Sequence, residues 1–316
     1  MEKAAIAFLL FLAALAAQAQ DESQTAYNFL RLPVSAHAAA LGGDNVTLVE
    51  DDGALMFHNP ALLSSVTDKA IGLNYMNYMS GASTASASFS RVVKERASWA
   101  VSGQYVDYGK MKEVDENNVQ TGEFSARDMA VAGYFSYMLG TRFAGGISAR
   151  LVNSYIGNYN SIGFGVDLGL NYFDPDHEWS VSLVAKNLGG QLKAYNENYE
   201  HMPLDVQLGV SKRFVGTPFR VSATVVDLNH LDYKMINHVV VGGEILLTET
   251  FWIGGGYNCR RANEMKITGT EGKSSSHGAG LSLGAGLNLE RFKLNLAYGK
   301  YHVSSSSVVL NLGYRL

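Results

Sequence analysis

From about residue 69 onward, apolar and polar residues alternate with a period of two, broken by short polar stretches, and almost no segment spaces its apolar residues as a helix does. Ile162, Phe164, Val166, Leu168, Leu170 and Tyr172 make one face of a strand; Ser161, Gly163, Gly165, Asp167, Gly169 and Asn171 make the other. The split recurs in Ala279–Leu289, Leu204–Ser211 and Phe292–Gly299. A soluble sandwich alternates too, so length decides the class. Several strands run to about 10 residues or more, which suits a tilted transmembrane strand, whereas globular strands cluster near 5 or 6. Small and polar residues on the second face suit a barrel lumen. Aromatics near strand ends, including Tyr75, Tyr78, Tyr105, Tyr108, Trp179, Phe251, Trp252 and Tyr301, suit interfacial girdles.

With breaks taken as turns, strands fall near 69–79, 83–93, 97–109, 126–138, 142–155, 159–173, 178–187, 203–214, 218–228, 236–247, 250–258, 276–289, 292–301 and 305–316. The sequence therefore predicts an all-β fold, a 14-stranded antiparallel transmembrane β-barrel. Connection lengths give an independent check. Every second connection is short (Lys94–Arg96, Leu139–Thr141, Asp174–His177, Val215–Thr217, Thr248–Glu249, Glu290–Arg291), and the long ones, Lys110–Ser125, Leu188–Met202, Asn229–Met235 and Cys259–Ser275, fall only in the other set. Short periplasmic turns and longer exterior loops are the asymmetry of outer-membrane barrels, so both termini are expected in the periplasm.

Composition narrows this further. The 316 residues are 47% hydrophobic but only 17% charged, with net charge −4 and mean hydropathy −0.01. Disorder and a bundle of apolar transmembrane helices are excluded, and the slight acidity argues against a nucleic-acid partner. The start, Met1-Glu2-Lys3, an apolar run from Ala4 to Ala17 and Ala17-Gln18-Ala19, reads as a signal peptide over 1–19, cleaved after Ala19. The single cysteine, Cys259, allows no intrachain disulfide.

Residues 20–68 do not alternate and are expected to fold as an N-terminal plug inside a barrel spanning 69–316. Ser35 to Gly43 is a small-residue stretch stopped by Gly42 and Gly43; Asp51, Asp52 and Gly53 make a turn into a short apolar helix that must break before Pro60. The segment from Leu41 through Asp51-Asp52-Gly53-Ala54 to Phe57-His58-Asn59-Pro60-Ala61-Leu62-Leu63 resembles the plug of the FadL superfamily of outer-membrane barrels, in which a glycine-led segment leads to acidic residues and then Asn-Pro-Ala. Within it, Tyr27-Asn28-Phe29-Leu30-Arg31-Leu32-Pro33-Val34-Ser35-Ala36-His37-Ala38-Ala39-Ala40-Leu41-Gly42-Gly43 is similar to the start of the PorQ family of the type IX secretion system of Bacteroidetes. The resemblance implies a non-enzymatic component of the attachment complex, held in the outer membrane among lipid and lipopolysaccharide. It further implies a PorZ-like surface partner, other type IX attachment-complex subunits and, during insertion, the barrel-assembly machinery.

The residues carry no sign of catalysis. The eight histidines form no metal-binding spacing and there is no nucleophile elbow, so no catalytic, cofactor or metal site is expected. The strand glycines, Gly254-Gly255-Gly256 among them, are expected either to let the lumen wall pack closely on the plug or to let strands bend. Candidate docking loops carry Glu113, Asp115 and Glu116 in one and Arg260, Arg261 and Lys266 in another, an acidic and a basic loop suited to orienting a partner. The competing expectation is a FadL-like channel for hydrophobic small molecules, which requires an apolar groove among loops that here are polar.

Overall fold

The computed structural model describes residues 25–230, 233–268 and 274–316; the expected signal peptide lies outside them. Fourteen strands close an antiparallel barrel. They are β1 (Ala70–Asn77), β2 (Ser83–Val93), β3 (Ala97–Val114), β4 (Gln120–Met138), β5 (Phe143–Ile156), β6 (Tyr159–Asp174), β7 (Trp179–Lys193), β8 (Asp205–Arg213), β9 (Phe219–Val225), β10 (Val239–Leu246), β11 (Phe251–Asn258), β14 (Leu281–Asn288), β15 (Phe292–Gly299) and β16 (Ser307–Arg315). Between β11 and β14 the chain forms helix α2 (Cys259–Glu264) and a small hairpin of β12 (Ile267–Thr268) and β13 (Ser274–Ser275) outside the barrel sheet. The terminal strand closes the sheet by pairing with β1 from Ala70↔Arg315 to Asn77↔Val308, which leaves no open edge in the wall.

Alternation sets the two faces. On β4, Met129, Val131, Phe135 and Tyr137 stand outward and exposed, while Asp128, Ala130, Ala132, Tyr134 and Ser136 are buried inward. Strands near the loop 115–119 are longer than expected. β3 and β4 continue past the point where β2 and β5 stop pairing with them, so most of the expected loop is a two-stranded ribbon.

The plug occupies the lumen. Helix α1 (Ala36–Ala40) packs on β11, β14, β15 and β16, and Ala36, Ala38, Ala39 and Ala40 are fully buried. The expected apolar helix after Asp52 is two 3₁₀ turns, Gly53–Phe57 and Pro60–Ser65, with the break at His58 and Asn59. Pro60 does end the first turn, and then opens the second, where a missing N–H costs nothing. The chain ends at the short-turn mouth, where the Leu316 N–H donates to Lys69 O, whereas Thr25 bridges His201 at the long-loop mouth. The plug therefore runs the length of the lumen from Thr25 before entering β1; the expected placement of the N-terminus itself lies outside the described residues.

Candidate functional site: the plug and its seat in the wall

Local chemistry first fixes the plug's own shape. Ser35 caps α1, its Oγ accepting from Ala38 N at 3.2 Å, and Gly42 and Gly43 at φ +103° and +101° end it, with Gly43 N donating to Ala38 O at 2.9 Å. Asp52 caps the first 3₁₀ turn through Ala54 N at 2.9 Å. Asn59 caps the second through Ala61 N at 2.9 Å and also donates to Val46 O at 3.1 Å, tying two plug segments together. Asp51 accepts from Thr67 N at 2.7 Å and pairs with Lys293 of the wall at 2.5 Å.

The wall is cut to this shape by glycines on its inner face. A Cβ on Gly169 would sit 2.1 Å from Asn59 Oδ1; on Gly146, 2.3 Å from Ala61 N; on Gly256, 2.2 Å from the Leu41 carbonyl carbon. The Asn-Pro-Ala segment and the glycine-led segment thus lie directly on glycine backbone, as the sequence predicts. Asn311 completes the seat, accepting from Ala36 N and donating to Val34 O at 2.8 Å, so its amide serves the plug as a strand neighbour would.

Toward the short-turn mouth the contact becomes ionic. Glu244 and Arg220 are cross-strand neighbours on β10 and β9, both directed inward. His37 of α1 reaches Glu244 Oε2 through Nε2 at 2.6 Å and lies with Nδ1 3.0 Å from Glu50 Oε2, an ionic contact outside hydrogen-bond direction. Arg220 closes the ring by pairing with the remaining oxygen of each carboxylate. Burial works against the imidazolium, but the carboxylates of Glu50 and Glu244 outweigh it and raise the His37 pKa to about 10. The ring therefore carries two cations and two anions. Trp252 stacks on His37 at 3.7 Å with planes 10° apart, adding an aromatic face to the cation.

His37, Glu50 and Glu244 place one ligand atom each within 4.8 Å of one another, close enough to hold a metal ion. Arg220 already takes one oxygen from each carboxylate, and a divalent cation beside it would break the neutrality of the ring. The arrangement is built as an ion-pair clasp between plug and wall. His58 is different: burial, with the Lys186 charge acting the same way, lowers its pKa to about 3, and as a neutral ring its Nε2 accepts from Ser35 N at 3.3 Å.

The docking candidates separate. Glu113, Asp115 and Glu116 are exposed on the ribbon, although Asp115 spends Oδ1 on its own turn through Asn117 N and Val119 N, both at 2.9 Å. Arg260 and Arg261 turn inward, and Arg261 reaches the plug at the Gly42 carbonyl. Arg260 pairs with Asp227 and with Glu264 at 2.6 Å, while Arg261 lies 3.9 Å over the Tyr301 ring. Of that basic set Lys266 stays exposed, donating to Asn263 Oδ1 at 3.1 Å. Sequence reasoning places Trp252, Tyr78 and Tyr301 in the lipid-facing girdle; all three face the interior, since they share parity with inward neighbours. It also passes over His37, Glu50, Arg220 and Glu244. The signal was available in part: a lone Glu and a lone Arg stand on the glycine and serine faces of β10 and β9.

Two cavities approach the plug from opposite mouths. One of about 750 Å³ opens at the short turns and is floored by Glu50, Arg220 and Trp252; another of about 340 Å³ lies at the long loops against Arg31, Asp44 and Tyr301. They share no lining residue, and buried Leu41, Val46, Leu48, Leu55 and Leu62 of the plug fill the lumen between.

Neither a protein-family model nor a curated protein matches the sequence. Solved structures do. The toluene transporter TodX of Pseudomonas putida superposes with TM-score 0.55 at 14% identity, covering 89% of this chain and 97% of that one. A FadL homologue of Pseudomonas aeruginosa gives 0.53 at 11%, covering 88% and 97%. The monoaromatic hydrocarbon channel CymD gives 0.53 at 14%, covering 92% and 98%. At these identities the likeness establishes fold, and the fold is the FadL- and TodX-like 14-stranded antiparallel closed β-barrel, here with a plugged lumen.

Proposed function

We propose that this chain is a non-enzymatic, integral outer-membrane barrel of a type IX secretion system attachment complex, of the PorQ kind. Its long loops stand outside, where it anchors a PorZ-like surface protein and supports cargo processing and attachment to anionic lipopolysaccharide. The reading rests on the resemblance of Tyr27–Gly43 and on one structural observation that carries it: the plug is clasped to the wall by a neutral ring of buried charges and seated on wall glycines. Such a fit favours a plug that stays in place. The cavities at the two mouths are lined largely by charged and hydroxyl side chains, which suits neither capture nor passage of a hydrocarbon.

The fold likeness favours a second reading over this one. TodX and CymD are a toluene transporter and a monoaromatic hydrocarbon channel, and a chain of the same fold is a candidate for uptake of hydrophobic small molecules. A clean deletion separates the two. The scaffold reading expects C-terminally tagged cargo to be misprocessed or shed, with toluene and laurate uptake unchanged; correct cargo attachment with reduced uptake would overturn it.

A further inference from the structure

β3 pairs with β2 only as far as Asp107, and β4 pairs with β5 only from Ala126. Beyond those points Lys110–Val114 and Gln120–Ser125 pair with each other alone, after a register shift between Asp107 and Lys110. Among the described residues the ribbon therefore has two edges whose outward N–H and C=O groups have no strand partner, a template for a further strand. The two edges differ. That of β3 carries Lys110 and Lys112, charges that guard an edge; that of β4 carries Thr121, Gly122 and Phe124 around Glu123.

Beside the β4 edge lies a groove of about 650 Å³. Its far side is the β5–β6 turn, where Ile156 and Tyr159 are 42% and 60% exposed, and Gly157 N donates to Ser125 O at 2.9 Å to join turn and ribbon. Phe124 adds an apolar surface, and Lys110 and Glu123 pair with each other at 3.3 Å. Glu113 has no cation partner among the described residues. Its carboxylate lies across Gly122, where a Cβ would be 2.9 Å from Oε2, so a negative charge lies at the groove floor against the free edge.

We propose that this groove receives an extended segment of a surface protein, added as a strand to the β4 edge at residues 120–124, with apolar side chains against Phe124, Ile156 and Tyr159 and a lysine or arginine against Glu113. Main-chain pairing supplies affinity in such additions and the side-chain pockets supply choice of partner. The inference rests on the docking role proposed above but is tested apart from it.

The test uses the full chain in outer membranes of the source cells, with a photo-reactive benzoylphenylalanine in place of Tyr159 and hydrogen exchange read at amides 120–124. We expect a protein adduct and at least tenfold slower exchange in the membranes than in the purified chain in detergent. Both should be lost in Glu113→Lys. They should also be lost in one of Gly122→Pro and Glu123→Pro, because neighbouring strand residues direct their N–H groups to opposite sides. Heat-modifiable gel migration confirms that each variant's barrel is folded. Equal exchange in both preparations, an adduct with lipopolysaccharide alone, or an adduct indifferent to all three substitutions in folded barrels would overturn the proposal. Loss of the adduct with cargo attachment intact would leave the groove standing and remove the type IX role; normal edge exchange with cargo lost on deletion would do the reverse.

Discussion

Glu244→Gln removes one charge from the clasp and almost no volume. In the native ring, Glu244 is 1% exposed and faces His37 on one oxygen and Arg220 on the other. After the change, two cations face the single carboxylate of Glu50 in the same buried space. Breaking a buried ion pair by removing one partner costs about 3–5 kcal/mol. Because Arg220 and Glu50 keep some solvent contact, at 12% and 21%, the lower end applies here. About 3 kcal/mol corresponds to roughly a hundredfold in the opening equilibrium of the plug, at about 1.4 kcal/mol per tenfold. Hydrogen exchange at His37–Leu41 reads that opening directly, since these amides exchange only when the plug leaves the wall. Glu178→Gln, on the rim of the same vestibule, is the control and should change nothing. Exchange at His37–Leu41 within threefold of the native rate would refute the clasp as the energetic hold on the plug.

Further outcomes follow from other contacts. His37 is raised from 6.5 to about 10, so its contribution is complete below about 6.5 and is lost as pH rises through about 10. Burial of Glu50 is outweighed by Arg220 and His37, which hold its carboxyl below its ordinary 4.5, so its contribution is present above about 4.5 and is lost as pH falls below that. Plug-amide exchange should therefore be slowest between those limits and rise on both sides. Gly169→Ala drives a methyl into Asn59 and should loosen the plug by about 1–3 kcal/mol, whereas Gly103→Ala, with no atom within 4 Å, should stay within about 0.5, both measured by urea unfolding in vesicles. Asn59→Ala removes a cap and leaves Val46 O without its donor, and should cost about 2 kcal/mol in the same assay. Val131→Lys, at a position 67% exposed on the outer face, should cost about 2–4 kcal/mol in lipid and nearly nothing if that face met water.

How much of this could be read from sequence depends on what alternation encodes. Strand count, turn parity and the identity of each face follow from a period of two, and they hold in Ile162–Tyr172 and in Val308–Leu316 alike. The glycine wall was legible as a tendency, but not which glycine meets which plug atom: Gly169 and Asn59 are brought together only by barrel closure. The clasp was hidden for a related reason. His37, Glu50, Arg220 and Glu244 come from three segments far apart in the chain, and the short run around His37 carries no spacing that announces a partner. Arg260 and Arg261 mislead in the opposite direction, since a polar loop looks solvated until barrel closure brings it against Asp227 beyond β9 and Tyr301 beyond β15. Strand ends mislead too, because the ribbon beyond Asp107 alternates only weakly and reads as loop.

Ion conductance of the purified chain in a planar lipid bilayer tests most directly whether the clasped plug seals the barrel. The native protein should show no conductance steps, and Glu244→Gln should show intermittent openings as the plug departs. Steady open steps in the native protein, unaltered by Glu244→Gln, would contradict the account.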